Sequence, residues 1–187
     1  MSESVSLTNH FLIAMPGLAD ANFTHTVTYI CEHNEYGAMG LVINRPLDLT
    51  VREVLEHMEI APEERPEVDG PIFSGGPVQP EHGFVLHTPV GEWDASLAIT
   101  DHIAVTTSRD VLTAVNEGRG PEQYLICLGY AGWGEGQLEE EMAQNAWLSG
   151  PADPSILFDT PADRRWAAAA ALLGVDLNLL SSEAGHA

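Results

Sequence analysis

Apolar residues in this chain gather in short runs, separated by breaks that carry glycine, proline or charge. The runs predict many short strands and few helices. FLIAM (11–15) is a continuous apolar run closed by Pro16–Gly17, the pattern of a buried strand. TVTYICEH (26–33) is rich in β-branched and aromatic residues. It is followed by the turn-like NEYG (34–37), then by AMGLVINR (38–45), which Pro46 stops; together these predict a β-hairpin. PIFSGG (71–76), GFVLHT (83–88), SLAIT (96–100) and HIAVT (102–106) predict further short strands. QYLICLGY (123–130) predicts a central one, and ILFD (156–159) predicts the last.

Helical periodicity is confined to a few windows. Thr50 with Glu53 three residues on forms a capping box, and Leu49 and Val54 can form its hydrophobic staple. Val51, Val54, Leu55 and Met58 then give one buried face, before the helix ends ahead of Pro62. Residues 61–70 are polar and proline-bearing, a surface loop. Ser108 caps a second helix with Asp110 in its first turn and Gly118 as its terminator. A third helix is predicted near 137–145, after a glycine-rich turn. The last starts at Thr160–Pro161 and closes at Gly174. Strands and helices do not alternate strictly and hairpin signals outnumber crossovers. The fold class is therefore α+β, with a mixed, mainly antiparallel sheet in one domain over 1–187.

Charge narrows the function classes. Among 187 residues, 28 are acidic and 7 basic; all seven basic residues are Arg, and the formal net charge is −21. A phosphate backbone is gripped by clustered cations that displace counterions, so direct nucleic-acid binding is disfavoured, and an anionic membrane surface repels the chain. The longest apolar stretch, WAAAAALLGV (166–175), is about half of the roughly 20 residues a membrane span needs. FLIAMPGLA (11–19) resembles a signal-peptide core, but no Lys or Arg precedes it and Pro16 interrupts it. Cys31 and Cys127 lie in apolar runs without metal-site spacing, which predicts two buried thiols. A cytoplasmic protein is expected.

Four segments carry candidate chemistry. Asp20 to Thr26, leading to Glu32–His33, holds acid, amide, imidazole and hydroxyl groups. The spacing matches no metal motif, and Glu32 and His33 point oppositely in a strand unless a bulge intervenes. Asn44–Arg45 at a strand end can clamp an anion, although an acidic chain offers Arg45 structural partners as well. Gly75 and Gly76 can form an anion nest or a tight turn, and no lysine exists to complete a P-loop. GYAGWGEGQLEEE (129–141) is the most distinctive. Tyr130 and Trp133 interleave with glycines including Gly132, ahead of Gln137 and three glutamates. It predicts either a small-ligand pocket with aromatic walls or a strained turn that packs Trp133 as a plug; the glutamates favour a neutral or cationic ligand.

Four stretches together resemble the AlgH/YqgE family of bacterial proteins: LIAMPGLADANFTHTVTYICEHNEYGAMGLVINRP (12–46), FSGGPVQPEHGFVLH (73–87), GYAGWGEGQLEEEMAQNAWL (129–148) and ILFDTPADRRW (156–166). The resemblance covers nearly the whole chain in order. It implies an α+β domain whose sheet bifurcates and curls into a pseudo-barrel with helices packed outside. It implies no cofactor and no assigned catalytic residue. One line of naming in the family points to transcriptional control of alginate synthesis. The positions it marks are Asn44, Arg45, Pro46, Gly75, Gly76, Pro77, Gly129, Tyr130, Gly132, Trp133, Gly136, Gln137 and Trp147.

Three readings of function follow. The favoured one is a module without catalysis that binds a small molecule or a protein partner and regulates indirectly. It expects Asn44, Arg45, Gly75, Gly76, Tyr130, Gly132, Trp133 and Gln137 around one concavity. The second is a hydrolase or transferase using His33, Glu32 or His25 as its base. The third, a regulator that binds DNA directly, meets the charge objection, and no basic recognition helix is visible: residues 51–59 carry one Arg and three Glu.

Overall fold

The computed structural model describes residues 6–15 and 25–175. Among the described residues ten strands form one sheet: β1 (His10–Ala14), β2 (Val27–Asn34), β3 (Gly37–Val42), β4 (Pro46–Thr50), β5 (Pro71–Ser74), β6 (Val78–Thr88), β7 (Ser96–Ala98), β8 (Ala104–Thr106), β9 (Gln123–Trp133) and β10 (Trp147–Pro151). The path runs β10-β1-β2-β3-β9-β6-β8-β7 and curls into a half-barrel. The pairings are antiparallel except β5 with β9, as an α+β reading requires.

The sheet forks at β9. Its first half carries β5 on one side, through Phe73 opposite Cys127, and β5 carries β4. Its second half carries β3 instead, through Gly40 opposite Ala131. Gly75 sits in the fork: its N–H donates to the Leu128 carbonyl and its carbonyl accepts from the Val42 N–H, both at 2.8 Å. A Cβ on Gly75 would overlap the Gly129 carbonyl oxygen, and one on Gly129 would overlap that of Gly76. Gly129 also holds φ +77°, a left-handed conformation that only glycine adopts freely. The two glycine segments that the sequence singles out thus form the crossing of the two half-sheets.

Five α-helices are found among the described residues. α1 (Val51–His57) and α2 (Arg109–Glu117) cover one face, packing Val51, Leu55, Val111 and Leu112 on Ile72, Val85 and Ile126. α3 (Gln137–Ala143) packs Leu138 with Trp133 and Trp147 beside β1. α4 (Pro154–Phe158) and α5 (Arg165–Leu172) close the largest core, against Phe11, Tyr29, Leu41 and Phe73. None is long and apolar enough to cross a membrane.

Several elements differ from the sequence expectations. ILFD is not a strand but most of α4; Asp153 caps it by accepting from the Ser155 N–H at 2.9 Å, and Pro154 supplies the first helical residue. A four-residue apolar run cannot by itself separate a strand from a buried helical turn. The last strand is β10, which no alternation signals. Pro46 does not end strand structure; it begins β4, at a strand's first residue, where a missing N–H is tolerated. β9 runs through the glycines to Trp133, so no turn follows Tyr130. Thr160 does not cap the final helix: its hydroxyl donates to the Ser155 carbonyl, and α5 starts at Arg165 after a 3-10 turn over Ala162–Arg164.

Both cysteines are buried free thiols in the same core, and burial pushes the Cys127 thiol up to about 12. The capping box at α1 forms in part. The Glu53 N–H donates to Thr50 Oγ1 at 3.3 Å, and the Thr50 hydroxyl, rather than its N–H, reaches the Glu53 carboxylate.

Candidate functional site

The aromatic–glycine segment is half strand, half helix start. Tyr130, Gly132 and Trp133 end β9 and line a shallow depression of about 620 Å³, together with Glu32, Asn34, Tyr36 and Met39. Tyr130 packs edge-on to Phe84 with centroids 5.6 Å apart. Trp133 is buried, and its indole N–H donates to Glu141. The Gln137 side chain accepts from the Gly134 N–H and donates to Glu141 Oε2, both at 3.0 Å. Those bonds clamp the entrance of α3.

Asn44 ties the start of β2 to the hairpin's far end. Its Oδ1 accepts from the Val27 N–H at 3.0 Å and its Nδ2 donates to the His25 carbonyl at 2.9 Å. The Arg45 carbonyl accepts from the Ser74 N–H at 2.8 Å, which brings 44–45 beside 74–76. The three predicted segments therefore meet through their backbones at the fork. Asn44, Arg45, Gly75, Gly76 and Gln137 line neither the depression nor the cavity described below.

The candidate bases hold separate positions. A bulge between Ile30 and Glu32 reverses the facing of the end of β2, so His33 turns toward α3 while Glu32 faces the depression. The His33 ring accepts the Leu7 N–H on Nδ1 at 2.8 Å, which leaves the proton on Nε2. Nε2 lies 3.3 Å from Glu139 Oε1, close enough for attraction but misaligned for a hydrogen bond. The His25 ring lies 4.4 Å from that of Trp166. Asp20 to Thr24 lie outside the described residues. Among the described residues no group of three His, Cys, Asp or Glu could hold a metal ion.

A second cavity, of about 630 Å³, opens between α1, the start of α2, β6 and β9. Its apolar wall is Leu49, Val54, Met58, Val85, Leu112, Ile126 and Leu128; Glu53, His57, Glu81, His82 and Arg109 also line it. The size falls within the range of small-molecule sites. Val54 and Met58 belong to the helical face that periodicity predicts to be buried. Only Val51 and Leu55 of that face are fully buried, and the other two remain half-buried against the cavity. The signal was present as an apolar stripe wider than its packing needs, but periodicity cannot show what covers a stripe.

The cavity wall also includes Thr106, whose hydroxyl is held from behind by a buried imidazole. The His87 Nδ1–H donates to the Pro89 carbonyl at 3.0 Å, so Nε2 accepts from the Thr106 hydroxyl at 2.7 Å. The Ser96 hydroxyl stands 3.0 Å from that of Thr106. Burial holds His87 below its ordinary pKa, so the ring is neutral near pH 7. At the start of α2, Asp110 accepts from the Ser108 hydroxyl and from the Asp94 and Val111 N–H groups.

With this geometry, the chain can be set beside known proteins. The sequence model described as AlgH-like (DUF179) matches residues 11–178. The chain belongs to the AlgH-like family. A UPF0301 protein of Thioalkalivibrio sulfidiphilus is 59% identical over 187 residues, covering all of both chains. One from Nitrosococcus oceani is 58% identical over 181 residues, or 96% of each. The solution structure of the AlgH protein from Pseudomonas aeruginosa matches with a TM-score of 0.82 at 54% identity, covering 100% of this chain and 99% of that one. A crystal structure from Corynebacterium diphtheriae matches with a TM-score of 0.73 at 22% identity, over 97% of this chain and 94% of that one. At that identity it speaks for the AlgH-like fold alone.

Proposed function

We propose that this AlgH-like protein is a binding module without catalysis, which takes a small molecule and regulates through that ligand or a protein partner. The observation that carries the reading is the cavity between α1 and α2, whose wall of Leu49, Val54, Met58, Val85, Leu112, Ile126 and Leu128 is apolar and whose remaining lining is mostly polar. The depression at Tyr130, Gly132 and Trp133 is the second surface of the same module, open enough for a protein partner. An enzyme reading would use His33, Glu32 or His25; the two histidines are engaged with Leu7, Glu139 and Trp166, and Glu32 faces the open depression with no nucleophile beside it among the described residues. Direct DNA binding runs against a net charge of −21.

Nile red, a neutral apolar dye, tests the reading. Saturable fluorescence enhancement by the native protein, lost in Met58→Trp with an unchanged circular dichroism spectrum, is expected. No saturable binding, or binding untouched by Met58→Trp, contradicts it.

A further inference from the structure

We infer that the α1–α2 cavity selects a ligand with an apolar body and a single carboxylate, held by Arg109. The inference rests on the proposed reading of that cavity as the ligand site.

Three of the seven arginines pair with carboxylates among the described residues. Arg52 pairs with Asp69 and Glu64, Arg65 with Glu63, and Arg119 with Glu117. Arg109 lines the cavity and is exposed, and among the described residues no carboxylate pairs with it. The adjacent Asp110 is turned to Ser108, Asp94 and Val111, which uses its acceptors elsewhere.

Two acids share the wall, and neither pairs with Arg109. The Glu53 carboxylate takes the Thr50 hydroxyl, and Glu81 lies 3.9 Å from His82 Nδ1. His57 and His82 share the rim with Arg109. A guanidinium presents a planar fork of donors that matches a carboxylate in two parallel hydrogen bonds. The side chains of Val54, Met58, Val85 and Leu112 would take the apolar body of the ligand. Net repulsion at −21 disfavours anions over most of the surface, so an anion is best taken by a cation that no carboxylate of the chain already pairs with.

Three eight-carbon probes separate the components: octanoate, octanol and octylamine, titrated calorimetrically at moderate salt. The inference predicts that octanoate binds about tenfold tighter than octanol, and that Arg109→Gln lowers octanoate affinity about tenfold while leaving octanol unchanged. Arg109→Lys is expected to recover part of the loss, because a point charge remains without the fork. Equal binding of octanoate and octanol, indifferent to Arg109→Gln, overturns the carboxylate selection but leaves the cavity a ligand site. Tighter binding of octylamine overturns it in favour of Glu53 and Glu81. Binding of none of the three overturns both the selection and the reading beneath it.

Discussion

Trp133 and Trp147 pack edge to face, with ring centroids 6.2 Å apart, and both indole N–H groups donate to the same carboxylate oxygen of Glu141, at 3.1 and 2.9 Å. One acid on α3 thereby fastens the end of β9 to the start of β10. Glu141→Ala leaves two buried donors without their acceptor. It is expected to lower unfolding stability by about 2 kcal/mol in denaturant titrations. Glu141→Gln keeps one carbonyl oxygen and is expected to cost less than half as much.

The fork in the sheet gives a second prediction. Gly129→Ala forces a Cβ into the Gly76 carbonyl at a left-handed backbone position. The conformation alone costs roughly 1 kcal/mol, and the overlap adds to it. The variant is expected to melt far below the native protein or to accumulate unfolded. Gly136→Ala shares the left-handed conformation, but nothing stands within 4 Å of its added carbon, so it is expected to show only the smaller conformational cost.

These positions show how far the sequence was legible. β-branched content and continuous apolar runs foretold the β2–β3 hairpin, the 83–88 half of β6 and the central β9, because a strand buried on both faces writes itself as an apolar run. The clustering of Gly75, Gly76 and Gly129 was visible, but its cause was not. Glycine density announces an unusual backbone, and whether a ligand or another strand makes the close approach depends on pairings distant in sequence. Trp133 likewise read as either a pocket wall or a plug; the choice depended on Glu141 eight residues on and Trp147 beyond it. The α1–α2 cavity stayed hidden, because its parts lie in four segments and no local motif joins them.

Arg165 is buried on the Phe73 ring, 5.1 Å from its centroid, and donates to the Thr160 and Ile43 carbonyls. It anchors α5 to the end of β3 across the chain. Arg165→Met keeps much of the bulk but strands two carbonyls. A loss of about 2–3 kcal/mol is expected in equilibrium unfolding, with Arg165→Ala costing more.

His87 sets a pH dependence. Its pKa is depressed in the folded protein by burial, whereas the unfolded chain binds the proton near the ordinary histidine value of about 6.5. The unfolded state therefore holds more protons in acid, and stability falls as pH drops below about 6.5. Melting temperature is expected to decline from pH 7.5 to 5.5, with a shallower slope in His87→Gln. An equal slope in that variant contradicts the assignment.

Net charge supplies a prediction about salt. With 28 acids against seven arginines the folded chain repels itself, and screening relieves that. Melting temperature is expected to rise markedly between low and molar salt. A flat profile contradicts it.

The central claim is that the α1–α2 cavity is where a ligand binds, and methyl-detected NMR during an octanoate titration tests it most directly. The account predicts saturable shifts at the methyl groups of Val54, Met58, Val85 and Leu112, with those of Met39 and Val78 beside the open depression unmoved. Shifts gathered at Met39 and Val78 instead, or none that saturate, contradict it.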